Sequence, residues 1–66
     1  MTVAKVIEIS AESYINFEAA IHNGITKAAK SVHNIKGAWV KEQKVTVADG
    51  QVGKYRVDMK VTFVMD

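Results

Sequence analysis

Apolar and polar residues alternate along the last quarter of the chain. The apolar set is Tyr55, Val57, Met59, Val61, Phe63 and Met65, and the polar set between them is Lys54, Arg56, Asp58, Lys60 and Thr62. A period of two is typical of a β-strand with one buried face. The pattern therefore predicts a long strand over residues 51–65, with one apolar and one polar face.

Two elements are predicted at the start of the chain. β-Branched residues predict a first strand at Val3–Ile9, and Ser10–Ser13 is expected to end it as a turn. Ser13 is the predicted N-cap of a helix that runs from Tyr14 to about His33 or Asn34, because apolar residues recur there at three- and four-residue spacing. Gly24 in the middle of this helix is expected to allow another backbone to come close.

A hairpin completes the predicted fold. After a connection at Asn34–Gly37, a second strand is predicted at Ala38–Ala48, and Asp49-Gly50 is a dipeptide typical of a two-residue turn with positive φ. Such a turn fixes the register of the two strands. The predicted opposed pairs are Ala38–Val61, Val40–Met59, Trp39–Lys60, Lys41–Asp58 and Gln43–Arg56.

These elements predict an α+β fold of β-α-β-β order, in which one helix packs on one face of a three-stranded antiparallel sheet. The last strand is expected to be central because it is the longest and most regular. It would span roughly 50 Å at 3.3 Å per residue, whereas a helix of about 20 residues spans roughly 30 Å. The helix cannot cover the strand, and the opposite face, which carries Trp39, has no cover at all.

Composition strengthens the expectation of self-association. The chain has 66 residues, 48% of them hydrophobic, and no cysteine. A single domain over residues 1–66 of this size buries only about 60% of its unfolded surface. Disulfides are excluded, so other copies of the chain are the expected source of additional buried area.

The charge and hydropathy of the sequence argue against nucleic-acid and membrane partners. The nine basic and seven acidic residues give a net charge of +2 and are scattered along the chain. Clustered cations with interleaved aromatics, which nucleic-acid binding favours, are missing from the sequence. The sequence contains neither a signal-peptide pattern nor an apolar stretch long enough to cross a membrane, so a cytoplasmic protein without nucleic-acid or membrane partners is expected.

One candidate binding surface stands out on the predicted bare face. It combines an aromatic side chain with polar groups: Trp39, Lys60, Lys41, Asp58, Arg56 and Gln43. Two interpretations remain open. Trp39 packs against a symmetry mate, with Lys41 and Asp58 as an ordinary cross-strand ion pair, or the interface also holds a planar heteroaromatic ligand.

The sequence shows few residues that could form a catalytic or metal-binding site. His22 and His33 would share a helix face about 16 Å apart, too far for one metal ion, and are expected to be surface residues. Hard-cation binding at a subunit junction remains open for four dispersed carboxylates, those of Glu8, Glu12, Glu18 and Glu42. No activated nucleophile, acid/base pair, phosphate-binding loop or metal-ligand spacing is recognisable, so no catalytic or metal residues are predicted.

The chain resembles the dodecins along essentially its full length. The segments that carry the resemblance are Lys5–Ile9, Glu18–Ile21, Ala28–Ala29 and Tyr55–Phe63. The resemblance implies a β-α-β-β protomer, twelve copies of which close into a hollow shell. It also implies non-catalytic binding or storage of a flavin, namely FMN, FAD or riboflavin, stacked on a tryptophan at the open sheet face.

The flavin site is where the sequence departs from the family pattern. In an ungapped alignment the family's stacking tryptophan falls at Gly37, and the glutamine that bonds the flavin ring falls at Arg56. Trp39 lies on the same face about 6.6 Å further along the strand and is the candidate substitute. The candidate flavin-binding residues are Gly37, Trp39, Gln43, Arg56 and Lys60. The segment Val40–Gln43 also resembles the branch without the flavin tryptophan, so a flavin-free structural or cation-binding assembly is the alternative.

Overall fold

The computed structural model describes residues 3–65 and has the predicted β-α-β-β order. The elements are β1 (Val3–Ser13), α1 (Phe17–Ala28), β2 (Ile35–Ala48) and β3 (Gln51–Met65). All strand pairs are antiparallel, and the sheet order β1-β3-β2 confirms that the last strand is central. Residues 1, 2 and 66 of the predicted domain lie outside the described residues.

β1 is four residues longer than predicted. Ser10–Ser13 does not form a turn but continues the ladder, opposite Tyr55–Asp58 of β3. The extension places Ala11 against the core, and Ser13 is buried at 7% exposure. Pairing with the long central strand therefore overrides the turn preference of the two serines, because β3 offers ladder partners to all four residues.

α1 is shorter than predicted at both ends. Its N-cap is Asn16, not Ser13, and the Asn16 side-chain oxygen accepts a 2.7 Å hydrogen bond from the Ala19 amide. The Ser13 hydroxyl instead accepts a bond from the Ile15 amide before the helix begins. The α-helix ends at Ala28, and residues 29–31 form turns, so His33 and Asn34 lie outside it. No helix in residues 3–65 is long and apolar enough to cross a membrane.

The hairpin has the predicted turn but only part of the predicted register. Asp49 and Gly50 have φ angles of 53° and 73°, which is the backbone that the turn requires. β2 begins at Ile35 rather than Ala38. The predicted pairs Ala38–Val61, Val40–Met59 and Trp39–Lys60 are confirmed.

A β-bulge at Lys41 makes the other two predicted pairs wrong. Glu42, not Lys41, lies opposite Asp58, and Gln43 lies opposite Val57 instead of Arg56. A bulge inserts one extra residue into a strand and shifts the pairing that follows by one position. The shift ends at a second irregularity between Val45 and Val47, because Val47–Val52 and Ala48–Gln51 keep the register set by the turn. A register counted from the turn alone contains neither irregularity.

The core lies between α1 and the apolar face of β3. Its buried hydrophobic residues are Ala20, Val57, Met59 and Val61. Partly buried side chains pack against the first three: Ile9, Ala11, Phe17, Ile21, Ile25 and Val40. Gly24 allows the helix to approach the sheet: a Cβ atom there would lie 2.7 Å from Met59 Cε and 2.9 Å from Ala11 Cβ. The close neighbours are thus side chains of β3 and β1.

The sheet extends well past the helix that covers it. The described residues span 53 Å along their longest axis, whereas the 12 residues of α1 span about 18 Å. Large apolar side chains are exposed around the uncovered hairpin and the loop before α1: Tyr14 (76%), Ile15 (74%), Val45 (38%), Val47 (62%) and Val52 (51%). The single chain therefore leaves a substantial apolar surface in contact with water.

Candidate ligand-binding face

Trp39 lies on the face of the sheet opposite α1. Its ladder partner is Lys60 on β3, and directly opposed residues of antiparallel strands project to the same face. The indole is 64% exposed, and the Lys60 ammonium lies 5.4 Å from its ring centroid. This distance is within the range of a cation–π interaction. The exposed indole and its adjacent cation form the centre of the open face.

Gly37 lies two residues before Trp39 on β2 and opposite Thr62. A Cβ atom built at Gly37 would meet no atom within 4 Å. At the position aligned with the family's stacking tryptophan, the backbone of Gly37 is therefore exposed beside the indole, and we call this position the shelf. The shelf leaves room for a flat ligand next to Trp39, but Gly37 has no aromatic side chain on which the ligand could stack.

The bulge residue Lys41 forms an ion pair across the whole width of the sheet. Its ammonium lies 3.1 Å from Glu8 Oε1 on β1 and donates a hydrogen bond to it. The hydrogen bond and the negative charge of Glu8 raise the pKa of Lys41, against a smaller opposing effect of desolvation. The predicted pair of Lys41 with Asp58 is thus wrong, and the partner comes from the other edge strand.

Asp58 is the centre of a second polar group on the same face. It accepts a 2.6 Å hydrogen bond from the Ser10 hydroxyl and a longer contact of 3.5 Å from Arg56 Nε. The Ser10 bond is the largest influence that lowers the pKa of Asp58, with Arg56 adding to it and partial burial opposing it. Asp58 therefore remains ionised, and its charge partly neutralises Arg56.

The structure brings together four of the five candidate flavin-binding residues on one face. Gly37, Trp39 and Lys60 are neighbours, and Arg56 is on the same side of β3, four residues or about 13 Å from Lys60. Gln43 is separated from them. It lies opposite Val57, whose side chain is buried under α1, so the bulge turns Gln43 to the helix side of the sheet.

The described residues contain no group of three histidine, cysteine, aspartate or glutamate side chains that could hold a metal ion. His22 is exposed and lies 3.9 Å from Glu18, one turn earlier on α1. His33 follows the helix rather than lying on it, so the predicted shared face does not exist. The four predicted candidates for a cation, Glu8, Glu12, Glu18 and Glu42, form no such group in the described protomer, although Glu8 and Glu42 line the same cleft of the open face.

The sequence reasoning missed a groove on the other side of the molecule, between α1 and β1. It has a volume of about 770 Å³ and is lined by apolar or small residues such as Ile9, Gly24, Ala28 and Val32, together with Lys27 and Lys30. The combination of Gly24 and Ala28 on one helix was the signal available in the sequence. The groove lies away from Trp39, and it shares Ser10 with the polar group around Asp58.

Comparison with known proteins accounts for this architecture. The family model for dodecin matches residues 3–66. The chain belongs to the dodecin family. Dodecin from Streptomyces davaonensis has 34% sequence identity and a TM-score of 0.94, covering 98% of this chain and 96% of that chain. The search of curated proteins gave no match.

Two further dodecin structures bear on the site. A variant of the Thermus thermophilus dodecin has 29% identity and a TM-score of 0.94, covering 100% of this chain and 98% of that chain. The calcium dodecin of Mycobacterium tuberculosis, a calcium-chelating antigen with a calcium-binding site, has 35% identity and a TM-score of 0.83, covering 97% of this chain and 91% of that one. The predicted family and protomer fold are thereby confirmed.

Proposed function

We propose that this dodecin is a non-catalytic binding and storage protein that assembles with its own copies and holds a flavin on the open face of the sheet. The observation that carries the proposal is the position of Trp39. Trp39 is 64% exposed on a sheet face that no helix covers, and in an isolated protomer this leaves a large apolar side chain unfavourably in contact with water. The position becomes favourable once a sister chain and a ligand cover the indole.

Self-association is supported by the exposed apolar surface at three separate places. Trp39 is exposed on the open face, and Val47 and Val52 are exposed on the hairpin that extends past α1. Tyr14 and Ile15 add to the exposed apolar surface in the loop before the helix. Burying these side chains between copies would add hydrophobic stabilisation of about 25 cal/mol per Å² of apolar area. A closed shell of twelve copies is the arrangement that family membership leads us to expect.

The residues on the open face suit a flavin ring, although in a different arrangement from the family pair. Trp39 supplies a stacking surface, the shelf at Gly37 leaves space beside it, and Lys60 supplies a cation. Arg56, about 13 Å along β3 from Lys60, can reach a polar end of the ligand or a phosphate but not the part stacked on the indole. Bound flavin would supply the planar aromatic surface that covers Trp39, and no chemical step is assigned to it.

Flavin titration tests the proposal directly. Adding FMN or riboflavin to the purified protein should quench both the flavin fluorescence and that of Trp39, the only tryptophan in the chain. Trp39→Ala should weaken binding by at least about tenfold, since stacking of a ring on an aromatic side chain contributes about 1–3 kcal/mol. Equal binding by Trp39→Ala would reject the stacking role, and a monomeric mass at micromolar concentration would reject the assembly.

A flavin-free, cation-binding assembly is the second candidate. It is favoured by the absence of any aromatic group at Gly37 and by the similarity to the calcium dodecin. Glu8 and Glu42 line one cleft of the open face but belong to no group of three potential metal ligands in the described protomer, so further ligands would have to come from across a subunit junction. Calcium binding measured by calorimetry on flavin-free protein distinguishes the candidates: calcium uptake without any flavin response favours this second one.

A further inference from the structure

Lys41, Arg56 and Lys60, three of the cations on the open face, differ in how far their charge is neutralised. Lys41 lies 3.1 Å from a carboxylate oxygen of Glu8, and Arg56 lies 3.5 Å from one of Asp58. Within residues 3–65, no carboxylate oxygen lies within 4 Å of the Lys60 ammonium, which instead lies over the Trp39 ring. Lys60 is thus the cation beside Trp39 whose charge lacks an ionic partner in the described protomer. Lys44, which has no ion pair there either, lies opposite Arg56, five residues further along β2 from the indole.

The bulge at Lys41 accounts for this difference. Glu8 is the ladder neighbour of Lys60 on β1, and by position alone it would be the natural partner of that ammonium. The extra residue in β2 instead brings the Lys41 ammonium to Glu8, and the ammonium donates its hydrogen bond to the Glu8 carboxylate. Lys60 is left with the indole as its described neighbour, and its charge is available to a ligand.

We infer that Lys60 selects the charge of the ligand, so that the site prefers an anionic planar ligand to a neutral one with the same ring. This inference rests on the proposed flavin site and changes the assignment of its polar contact. Arg56 was the expected contact for a phosphate, but its guanidinium already lies against Asp58, whereas Lys60 is adjacent to the stacking surface. An anion bound beside Trp39 therefore gains more from Lys60 than from Arg56.

FMN and riboflavin form a suitable pair of probes because they share a ring and differ in one phosphate. The affinity ratio of FMN to riboflavin is measured by quenching of Trp39 fluorescence in the wild-type protein and in Lys60→Met. Loss of one charge-assisted contact should lower the ratio at least about fivefold in Lys60→Met. Arg56→Met should lower it by less.

Lys54→Met is the matched control. Lys54 is on the same strand, also holds its ammonium over an aromatic ring, that of Tyr14 at 5.8 Å, and its loss changes the net charge equally. It is six residues, or about 20 Å, from Lys60, well beyond the Debye length of about 8 Å at physiological salt. The ratio should therefore stay within about twofold of the wild-type value in this variant.

The outcomes separate this inference from the proposed function. A wild-type protein that binds neither flavin refutes the proposed function and the inference with it. Binding of both flavins with an unchanged ratio in Lys60→Met overturns the inference alone. An equal fall of the ratio in Lys54→Met also overturns it, because the effect would then belong to net charge rather than to the position of Lys60.

Discussion

Gly24 offers the sharpest test of how the helix is held on the sheet. Replacing it by alanine in the middle of a helix normally stabilises a protein by about 1 kcal/mol, because glycine is a poor helix former. Here the added Cβ would lie 2.9 Å from Ala11 Cβ and 2.7 Å from Met59 Cε. The propensity gain and the steric cost therefore oppose each other.

The identity of the two contact atoms decides which effect prevails. Met59 Cε and Ile9 Cδ1, the latter at 3.4 Å, are the ends of flexible side chains and can rotate away. Ala11 Cβ is fixed to the backbone of β1, so relief there requires the helix or the strand to move. Overpacking of this kind costs about 1–3 kcal/mol. After the propensity gain, Gly24→Ala should be destabilising by about 1 kcal/mol net.

Urea and thermal unfolding at one fixed protein concentration measure the effect, since assembly makes stability concentration-dependent. A net loss of about 1 kcal/mol corresponds to a fall in Tm of about 4–8 °C for a domain of this size. Gly37→Ala is the control, because its Cβ would meet nothing within 4 Å, and it should change the free energy of unfolding by less than about 0.5 kcal/mol.

A double-mutant cycle isolates the contact itself. In an Ala11→Gly background the fixed methyl group is absent, so adding the Cβ at Gly24 should no longer destabilise the fold and should recover part of the helix-propensity gain. The expected coupling free energy is about 1–2 kcal/mol. A Gly24→Ala protein that is more stable than wild type by about 1 kcal/mol would refute the reasoning, because it would show that the helix is not in rigid contact with β1.

Three further predictions concern the start of α1 and the polar group around Asp58. Asn16→Ala should lower the free energy of unfolding by about 1 kcal/mol in urea titrations, because the Ala19 amide loses its side-chain acceptor; an unchanged value would contradict Asn16 as the N-cap. The pKa of Asp58 in the folded protein lies below its ordinary value of 3.8. The ionised Asp58 therefore stabilises the folded state at pH values above 3.8, and this stabilisation is lost as the pH falls through the lower pKa of the folded state. Asp58→Asn should therefore flatten the acid limb of a stability profile measured from pH 6 downward. Ser10→Ala should raise the pKa of Asp58 in an NMR titration, and no change would contradict the dominant role of that hydroxyl.

The sequence predicts this fold well where a pattern depends on local chemistry and poorly where tertiary pairing intervenes. The alternation along β3 and the Asp49-Gly50 turn are local signals, and both predicted features are present. The end of β1 is not a local property. Ser10 and Ser13 favour a turn in isolation, but the length of β3 offers them partners, and the ladder continues to Ser13.

The composition of the candidate site depends on irregularities in the β2–β3 ladder that the alternation cannot reveal. The register set by the turn is right at Val47–Val52 and again from Gly37 to Val40, so Trp39 is correctly placed beside Lys60. Between the irregularity at Val45/Val47 and the inserted residue Lys41 the pairing is displaced by one residue, which places Gln43 on the helix side of the sheet. The same insertion brings Lys41 to Glu8 and thereby leaves the charge of Lys60 available. Removing the bulge would thus change both the members of the open face and the charge that a ligand meets there.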